Sequence, residues 1–351
     1  MEASLAALRE RILGAGAART PLRLRGAGSK DFYGEQLRGE ILDTRAHRGI
    51  VSYEPSELVL TARCGTPLSE VSAALDAHGQ MLAFEPPRFG ADPTIGGMVA
   101  AGLSGPRRAS AGAVRDFVLG ASLVDAHGEL LRFGGQVMKN VAGFDVSRLL
   151  CGSLGVLGLI ADVSLKVLPK PRAEVTLRAA MNATRAIEHF NRCSAQPLPI
   201  SASAWCDGHA YLRLSGAESA LRAAQATLGH DAIDDPSGTQ WWAALRDQTH
   251  AAFDSSRLWR VSLPSTAPFD LPGVVLIEWA GALRWLASDA PAARIRAAAA
   301  AVGGTATLWR GTRDTSMFHP LDAANLALQR RLKQQFDPHG IFNPDRLIAQ
   351  A

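Results

Sequence analysis

The amino-acid sequence predicts an α+β protein with two domains. Its 351 residues suffice for about two domains at roughly 150 residues each. Short strand-like segments with alternating apolar residues are interleaved with helix-like segments along the chain. The 33 glycines are unevenly placed: fourteen lie between Gly90 and Gly158, and only ten follow. Glycine at this density indicates backbone in unusual conformations or close to a ligand, so we expect a site in the first half.

Local patterns define the elements of the first domain. In order they are a helix at 2–13, strands at Pro21–Arg25, Ile41–Leu42, Gly49–Val51 and Leu58–Thr61, a helix ending at Gly79, a loop-rich stretch from Pro86 to Gly112, strands at Val118–Asp125 and Leu130–Phe133, a short helix at Asp145–Leu150 and a strand at Leu159–Leu168. Thr66 is expected to cap the second helix, because Pro67 would occupy its first position and Glu70 is near the capping-box position.

Pro169-Lys170-Pro171 marks a domain boundary, since glycine becomes sparse beyond it. The second domain alternates strands with helices at Ala183–Ser194, Ala217–Leu228 and Pro291–Val302, and a tail helix follows at Asp322–Phe336. Its strands are predicted at Val175–Ala179, Ser201–Cys206, Tyr211–Leu214, Leu258–Leu263, Val274–Trp279 and Thr305–Trp309. The predicted bounds are 1–170, 171–315 for a smaller α+β domain, and 316–351 for a C-terminal segment.

Charge and cysteine content exclude several classes of protein. The net charge of +4 is mildly basic, without the clustering that a nucleic-acid partner requires. The four cysteines are far apart and form no C-x-x-C pair, so we expect no metal site or iron–sulfur cluster in this chain. The first residues resemble an amphipathic helix rather than a signal peptide, and no apolar run approaches a membrane span. We therefore expect a cytoplasmic protein that reaches the inner membrane only through partners.

The first of three glycine segments follows a strand and consists of Gly26, Ala27, Gly28, Ser29 and Lys30. A turn of this kind exposes several N–H groups to an anion, most often a phosphate. The spacing fits neither a Walker A loop nor the dinucleotide fingerprint. On its residues alone, a phosphate site and an ordinary turn are equally supported.

The second segment, Ala91–Gly105, is small and apolar, and its hydroxyls are Thr94 and Ser104. Because it has few side chains, its backbone can lie flat against a ring system or a pyrophosphate, and its N–H groups need partners. We favour ligand contact over plain packing here. In the third segment, Gly152–Gly158, glycine recurs every third residue, which fits close packing as well as a ligand site.

Two longer runs carry a family resemblance. They are ADPTIGGMVAAGLSGPRRASAGAVRDFVLG and VMKNVAGFDVSRLLCGSLGVLGLIADVSLKV. Together they resemble the FAD-binding domain of the vanillyl-alcohol oxidase / p-cresol methylhydroxylase (PCMH-type) flavoprotein family. The tail LKQQFDPHGIFNPDRL is similar to that family's C-terminal segment, which returns to the flavin. Within the family, KNVAGFDVSRLLCGSLG is most similar to the smaller flavin subunit of bacterial glycolate oxidase.

The resemblance implies a two-subdomain FAD-binding fold with a cap domain, and it implies roles for individual residues. Gly26, Ala27, Gly28 and Ser29, with Lys30 beside them, would hold the FAD pyrophosphate; Thr94, Gly96, Gly97, Ala101, Ser104 and Gly105 would form a second wall that Gly112 and Val114 continue; Gly155, Gly158 and Ile160 would lie near the adenosine, and Asn343 near the flavin ring.

Three departures from the family pattern matter. The first glycine segment has no histidine, so the FAD is expected to be non-covalent. Leu154 stands where many relatives have glutamate. The Gly-His-x-x-Asp-Gly-Asn metal and substrate motif of the family's catalytic subunits is absent.

Four residues are candidates for a catalytic role. His319 could act as a base, although a histidine that caps the tail helix is the simpler interpretation. Arg310 and Arg313 could bind a carboxylate, with a surface or interdomain ion pair as the alternative. Lys139 could face the flavin or the substrate, since the chain has only five lysines.

The resemblance implies an FAD-binding subunit of a complex that oxidises glycolate, a 2-hydroxy acid, to glyoxylate. Because the metal motif and the cysteine clusters are absent, it also implies two partners: a second flavin subunit and an iron–sulfur subunit. Two alternatives remain open, a non-catalytic or electron-relay assembly subunit and a stand-alone D-lactate-type flavin dehydrogenase.

Overall fold

The computed structural model describes residues 2–90, 92–135 and 145–348 and contains two compact units. The first unit consists of Met1–Leu103, Ala113–Pro169 and Leu321–Ala351, and the second of Ser104–Gly112 and Lys170–Pro320. Both units combine helices with β-sheet, which confirms the α+β class. Within the described ranges, none of the helices has the length and apolar character needed to cross a bilayer.

The described part of the first unit contains three sheets: a parallel pair of strands, an antiparallel sheet of five strands and a short antiparallel pair. A parallel pair is formed by β1 (Leu22–Arg25) and β2 (Glu40–Asp43). The five-stranded sheet is antiparallel with order β3-β4-β8-β6-β7, and the short pair is formed by β5 and β9. These strands are β3 (Ile50–Glu54), β4 (Val59–Arg63), β5 (Gln80–Met81), β6 (Val118–Val124), β7 (Leu130–Gly134), β8 (Leu159–Lys166) and β9 (Leu168–Pro169).

The described part of the first unit contains six helices: α1 (Ala3–Ala18), α2 (Leu68–Asp76), α3 (Ile95–Ala101), α5 (Val114–Phe117), α6 (Val146–Leu149) and the tail helix α11 (Ala323–Phe336). Helix α4 (Arg108–Ala111) lies in the second unit. In α1 the buried Leu5, Leu8 and Ile12 recur at helical spacing and form one apolar stripe. That stripe packs into a core with Leu22 and Phe342, so the N-terminal helix and the tail share one core.

Two local expectations for the first unit are wrong. Thr66 does not cap α2, because Pro67 is the N-cap residue and the Thr66 hydroxyl instead bonds to the backbone of Gly49. The stretch expected to be loop-rich contains the helix α3, which Thr94 caps through its side chain. The sequence did not predict this helix because Gly96 and Gly97 lie within it and glycine has a low helix propensity.

The second unit contains an antiparallel sheet of eight strands with order β13-β10-β12-β11-β15-β16-β14-β17. The strands are β10 (Ala173–Ala180), β11 (Ile200–Cys206), β12 (His209–Gly216), β13 (Asp231–Ile233), β14 (Leu258–Ser262), β15 (Val274–Glu278), β16 (Leu283–Ala287) and β17 (Thr305–Arg310). The helices α7 (Ala183–Ser194), α8 (Glu218–Leu228), α9 (Asp235–Asp247) and α10 (Ala292–Ala300) belong to the same unit. Of these elements, α9, β13 and β16 have no counterpart in the sequence prediction.

The segment Ser104–Gly112 groups with the second unit, although the predicted bounds assign it to the first domain. Arg107 is buried and forms an ion pair with Glu174. The Ser110 hydroxyl donates to the Ser201 carbonyl at 2.8 Å. The Trp279 indole N–H donates to the Gly105 carbonyl at 3.1 Å. These bonds explain why a segment between α3 and α5 in sequence belongs to the other unit.

We expect Phe342→Ala to destabilise the first unit by about 3–5 kcal/mol, because the ring is 0% exposed and its removal leaves a cavity in the shared core. The loss is measured by urea denaturation followed by far-UV circular dichroism. Leu328→Ala is the control, since that side chain of α11 is 56% exposed and its loss should cost less than about 0.5 kcal/mol. All seven tryptophans lie in the second unit, so the fluorescence-detected transition should not move. Equal effects of the two substitutions would contradict a shared core.

Candidate functional site

The first glycine segment leaves β1 at Arg25 and passes unusually close to the start of α3. A Cβ atom added to Gly26 would lie 2.2 Å from the Thr94 hydroxyl, so only glycine fits there. Gly28 has a φ of +78°, which favours glycine for a conformational reason. Within the described residues, the N–H groups of Ala27, Gly28 and Ser29 donate to no protein acceptor. This turn therefore presents three adjacent free donors to a ligand.

Helix α3 contributes a bare surface rather than hydrogen-bond donors. The N–H of Ile95 donates to the Thr66 carbonyl, that of Gly96 to the Cys64 carbonyl, and that of Gly97 to the Thr94 hydroxyl. At the start of α3 the expectation of unpaired N–H groups is therefore wrong, because two carbonyls from the segment before α2 and the capping hydroxyl of Thr94 accept them. Gly97 has only the Thr94 hydroxyl near its Cβ position, at 3.2 Å, so its outer side is open.

The third glycine segment is tied to α3 and to the tail. The N–H of Leu154 donates to the Ala100 carbonyl at 2.8 Å, and that of Gly152 to the Val99 carbonyl at 3.1 Å. Gly155 has a φ of +72°, and a Cβ atom there would lie 2.8 Å from the Asn343 amide nitrogen. The third segment thus continues the wall that α3 begins, and glycine is required where the tail touches it.

These elements surround two adjoining clefts in the first unit. We call the space beside the first glycine segment the first cleft and the space beside the third segment the second cleft. Of the predicted cofactor residues, the first cleft is lined by Gly26, Ala27, Gly28, Ser29, Lys30, Thr94, Gly97, Ala101 and Asn343, and the second by Gly26, Gly96, Gly97, Gly155, Gly158, Ile160 and Asn343. Gly26, Gly97 and Asn343 line both, so the two clefts adjoin, and we call them together the groove.

Four predicted cofactor residues do not line this groove. Ser104, Gly105 and Gly112 lie in the second unit, where Gly105 receives the Trp279 indole N–H. Val114 begins α5 and is 1% exposed, so it serves the core. Their assignment to a flavin wall stays a prediction that rests on family resemblance alone.

The first cleft carries an excess of positive charge. Its lining includes four cations (Arg23, Arg25, Lys30 and Arg346) and one carboxylate, Asp31. Asp31 bonds to Arg23 and lies 3.0 Å from the Arg25 Nε atom. This predominantly cationic lining, beside three backbone N–H groups without a protein acceptor, suits an anionic ligand such as a pyrophosphate.

Sequence patterns missed Arg346, which shapes the first cleft from the tail. Its buried guanidinium donates to the backbone carbonyls of Asp31, at 2.8 Å, and Glu35. In return the Glu35 N–H donates to the Arg346 carbonyl at 2.8 Å. These bonds fix the chain just after the first glycine segment. No signal in the sequence identifies such an arginine, because its acceptors are backbone carbonyls more than 300 positions away.

Cys64 lines the second cleft beneath Gly96. Burial raises the pKa of its thiol to about 12. The sulfur is therefore neutral at physiological pH and lacks the thiolate character that nucleophilic attack requires.

The candidate catalytic residues do not converge. Lys139 lies outside the described residues. The Arg310 guanidinium donates to the Phe253 carbonyl at one end of β17, and the His319 ring accepts the Ala306 N–H at the other end. Four residues of strand separate these ends by about 13 Å. Arg313 is exposed in the loop after β17. The tail helix is capped by Asp322, so the interpretation of His319 as its cap is wrong.

The fold and the groove together define an FAD-binding domain, and comparison with known proteins agrees. Residues 3–134 match the family model described as an FAD binding domain. A solved structure of alkyldihydroxyacetonephosphate synthase superposes with a TM-score of 0.66 at 13% identity, over 97% of this chain and 75% of that one. At this identity the likeness concerns the fold alone.

Two relatives narrow the assignment. The chain is 48% identical over 346 residues to glycolate oxidase subunit GlcE of Escherichia coli (strain K12), which covers 98% of this chain and 97% of that subunit. It is 31% identical over 163 residues to glycolate oxidase subunit GlcD of Bacillus subtilis (strain 168), over 46% of this chain and 34% of that one. The chain belongs to the PCMH-type family of FAD-binding oxidoreductases that includes subunit GlcE, which confirms the resemblance.

We expect Gly97→Leu to abolish FAD binding while the protein stays folded, because the new side chain would fill the open groove and not the core. Binding is measured by ultrafiltration and by quenching of free flavin fluorescence. Gly96→Leu is a poorer test, since its Cβ would lie 2.6 Å from the Cys64 Cβ and would disturb the fold itself. Gly14→Leu is the matched control, because Gly14 lies in α1 with no heavy atom near its Cβ position. Stoichiometric flavin in Gly97→Leu would contradict the proposed wall.

We expect His319 to make the second unit less stable in mild acid. Burial lowers the pKa of His319 below its usual value, and the Arg296 charge lowers it further. The unfolded state thus binds the proton more readily, so the stabilising contribution is complete above about pH 6.5 and is lost as the pH falls through the lower folded-state value. Urea midpoints from tryptophan fluorescence at about pH 7.5 and about pH 5 should differ less in His319→Gln than in the wild type. Identical pH dependence in both proteins would rule out this contribution.

Proposed function

We propose that this chain is the FAD-binding subunit of a complex that oxidises glycolate to glyoxylate and passes the electrons to a partner. The observation that carries the proposal is the cationic groove with three free N–H donors, in a chain 48% identical to a glycolate oxidase subunit. The groove fits the pyrophosphate of FAD in chemistry, because its lining has cationic side chains and backbone N–H groups without a protein acceptor, and its glycines leave a bare wall. Bound FAD would supply acceptance of a hydride equivalent from the α-carbon of a 2-hydroxy acid.

Different residues of the groove would bind different parts of FAD. Ala27, Gly28 and Ser29 would donate to the pyrophosphate oxygens, and the charge of Lys30 and Arg25 would balance the phosphate charge. Gly97 would allow the cofactor to lie against α3. Gly155, Gly158 and Ile160 line the second cleft, which supports the proposal that they would contact the adenosine.

Non-covalent attachment of the FAD is part of the proposal. The first glycine segment has no histidine. The thiol that lines the second cleft belongs to Cys64, and its raised pKa keeps it protonated. A neutral buried thiol is a poor nucleophile toward a flavin ring.

Oxidation of the acid is proposed to need partner subunits. The Arg310 guanidinium and the His319 ring each bond to a backbone group, and these bonds lie at opposite ends of β17. The two side chains are therefore not arranged as a carboxylate-binding arginine beside a catalytic base. A second flavin subunit would bind and oxidise the acid, and an iron–sulfur subunit would accept electrons. We infer a cytoplasmic assembly that meets the inner membrane through these partners. An electron-relay or assembly role for this chain is thus preferred to a stand-alone D-lactate-type dehydrogenase.

Mixing the FAD-loaded chain anaerobically with glycolate or D-lactate separates these roles. We expect no bleaching of the flavin absorbance by the chain alone, because its candidate catalytic groups do not converge. Bleaching should appear when the second flavin subunit is added. Rapid bleaching of the isolated chain by glycolate would assign substrate oxidation to this subunit, and a folded chain that takes up no FAD would overturn the proposal entirely. Heat-denatured second subunit is the control.

A further inference from the structure

A buried lysine joins the tail to the third glycine segment. The Lys333 ammonium in α11 donates to the Val156 carbonyl at 2.8 Å and to the Phe342 carbonyl at 2.7 Å. It also forms an ion pair with Asp337, whose side chain is 0% exposed. Asp337 in turn accepts the N–H groups of Ile341, at 3.0 Å, and Phe342, at 2.8 Å. Lysine and aspartate together hold the turn that follows the helix.

Asn343, the next residue along, joins the same two parts of the first unit. Its amide oxygen accepts the Leu24 N–H at 2.8 Å, and its amide nitrogen donates to the Leu154 carbonyl at 2.6 Å. Its φ of +39° is uncommon outside glycine. Asn343 thus bridges the strand before the first glycine segment to the start of the third, and it lines both clefts.

We propose that Lys333 and Asp337, which we call the tail clasp, are positioning residues that set the width of the FAD groove by fixing Asn343 and the third glycine segment. This inference rests on the proposed binding of FAD. Lys333 lines neither cleft; it faces a separate cavity of about 470 Å³ that shares Asn343 with the groove. The clasp therefore acts through Asn343 and does not contact the cofactor.

The chemistry of the pair suits this task. A lysine ammonium has three donors, and here the two backbone carbonyls and the carboxylate use all three. Burial lowers the pKa of Lys333, and the Asp337 carboxylate raises it again in part. Removal of one partner leaves a buried, uncompensated charge, whereas replacement of both by neutral residues leaves no buried charge at this place.

The test compares FAD binding in three proteins: the wild type, Lys333→Met, and the double variant Lys333→Met with Asp337→Asn. In the double variant no buried carboxylate is left without its lysine partner. If the single variant fails to fold, the double variant can still be compared with the wild type. We expect the double variant to bind FAD roughly tenfold more weakly, since charge-assisted bonds that hold the third segment are lost. We also expect a changed visible circular dichroism spectrum of the bound flavin.

The control is Arg257→Met with Asp314→Asn, which removes a two-bond ion pair of the second unit at 3.0 and 2.9 Å. It should change neither the FAD affinity nor the flavin spectrum. If the double variant of the clasp melts at a lower temperature but keeps the wild-type affinity and spectrum, the clasp is only structural and the inference is overturned. If the wild type itself takes up no FAD, the proposed function fails and this inference fails with it.

Discussion

The return of residues 341–343 to β1 is the contact on which the rest of the first unit depends. The Leu22 N–H donates to the Ile341 carbonyl at 2.7 Å, and the Asn343 N–H donates to the Leu22 carbonyl at 2.9 Å. These two bonds extend the parallel pair of β1 and β2 by one bridge. They place Phe342 in the core, and they bring Arg346 behind the first glycine segment. Both β1 and the C-terminal tail are therefore needed to form the groove.

The glycines provide most of the information from which the site could be predicted. Gly28 and Gly155 need a positive φ, and Gly26 needs space, so a local signal exists at each position. Helix α7, whose apolar residues recur with strong helical periodicity, agrees with the prediction residue for residue. Physical constraints of this kind act within a few residues and can be read without knowledge of the fold.

The parts that sequence reasoning missed depend on distant partners. The N–H groups of α3 are satisfied by Cys64 and Thr66, which lie about 30 residues earlier, so the segment could be taken for an open loop. Arg346 and Lys333 bond to backbone carbonyls. Because every residue has such a carbonyl, the residue types along the sequence do not reveal these bonds. Segment Ser104–Gly112 is assigned to the second unit by Glu174 and Ser201, residues that a linear pattern does not connect to it.

The bond between Leu24 and Asn343 spans 319 positions of sequence and has a consequence for biosynthesis. A nascent chain can form β1 and the first glycine segment early, but the groove has no outer wall until the tail has emerged from the ribosome. The groove is therefore complete only after Asn343 has joined β1. Any chain released before residue 343 would carry the whole second unit and most of the first, yet it would lack Asn343, which lines both clefts.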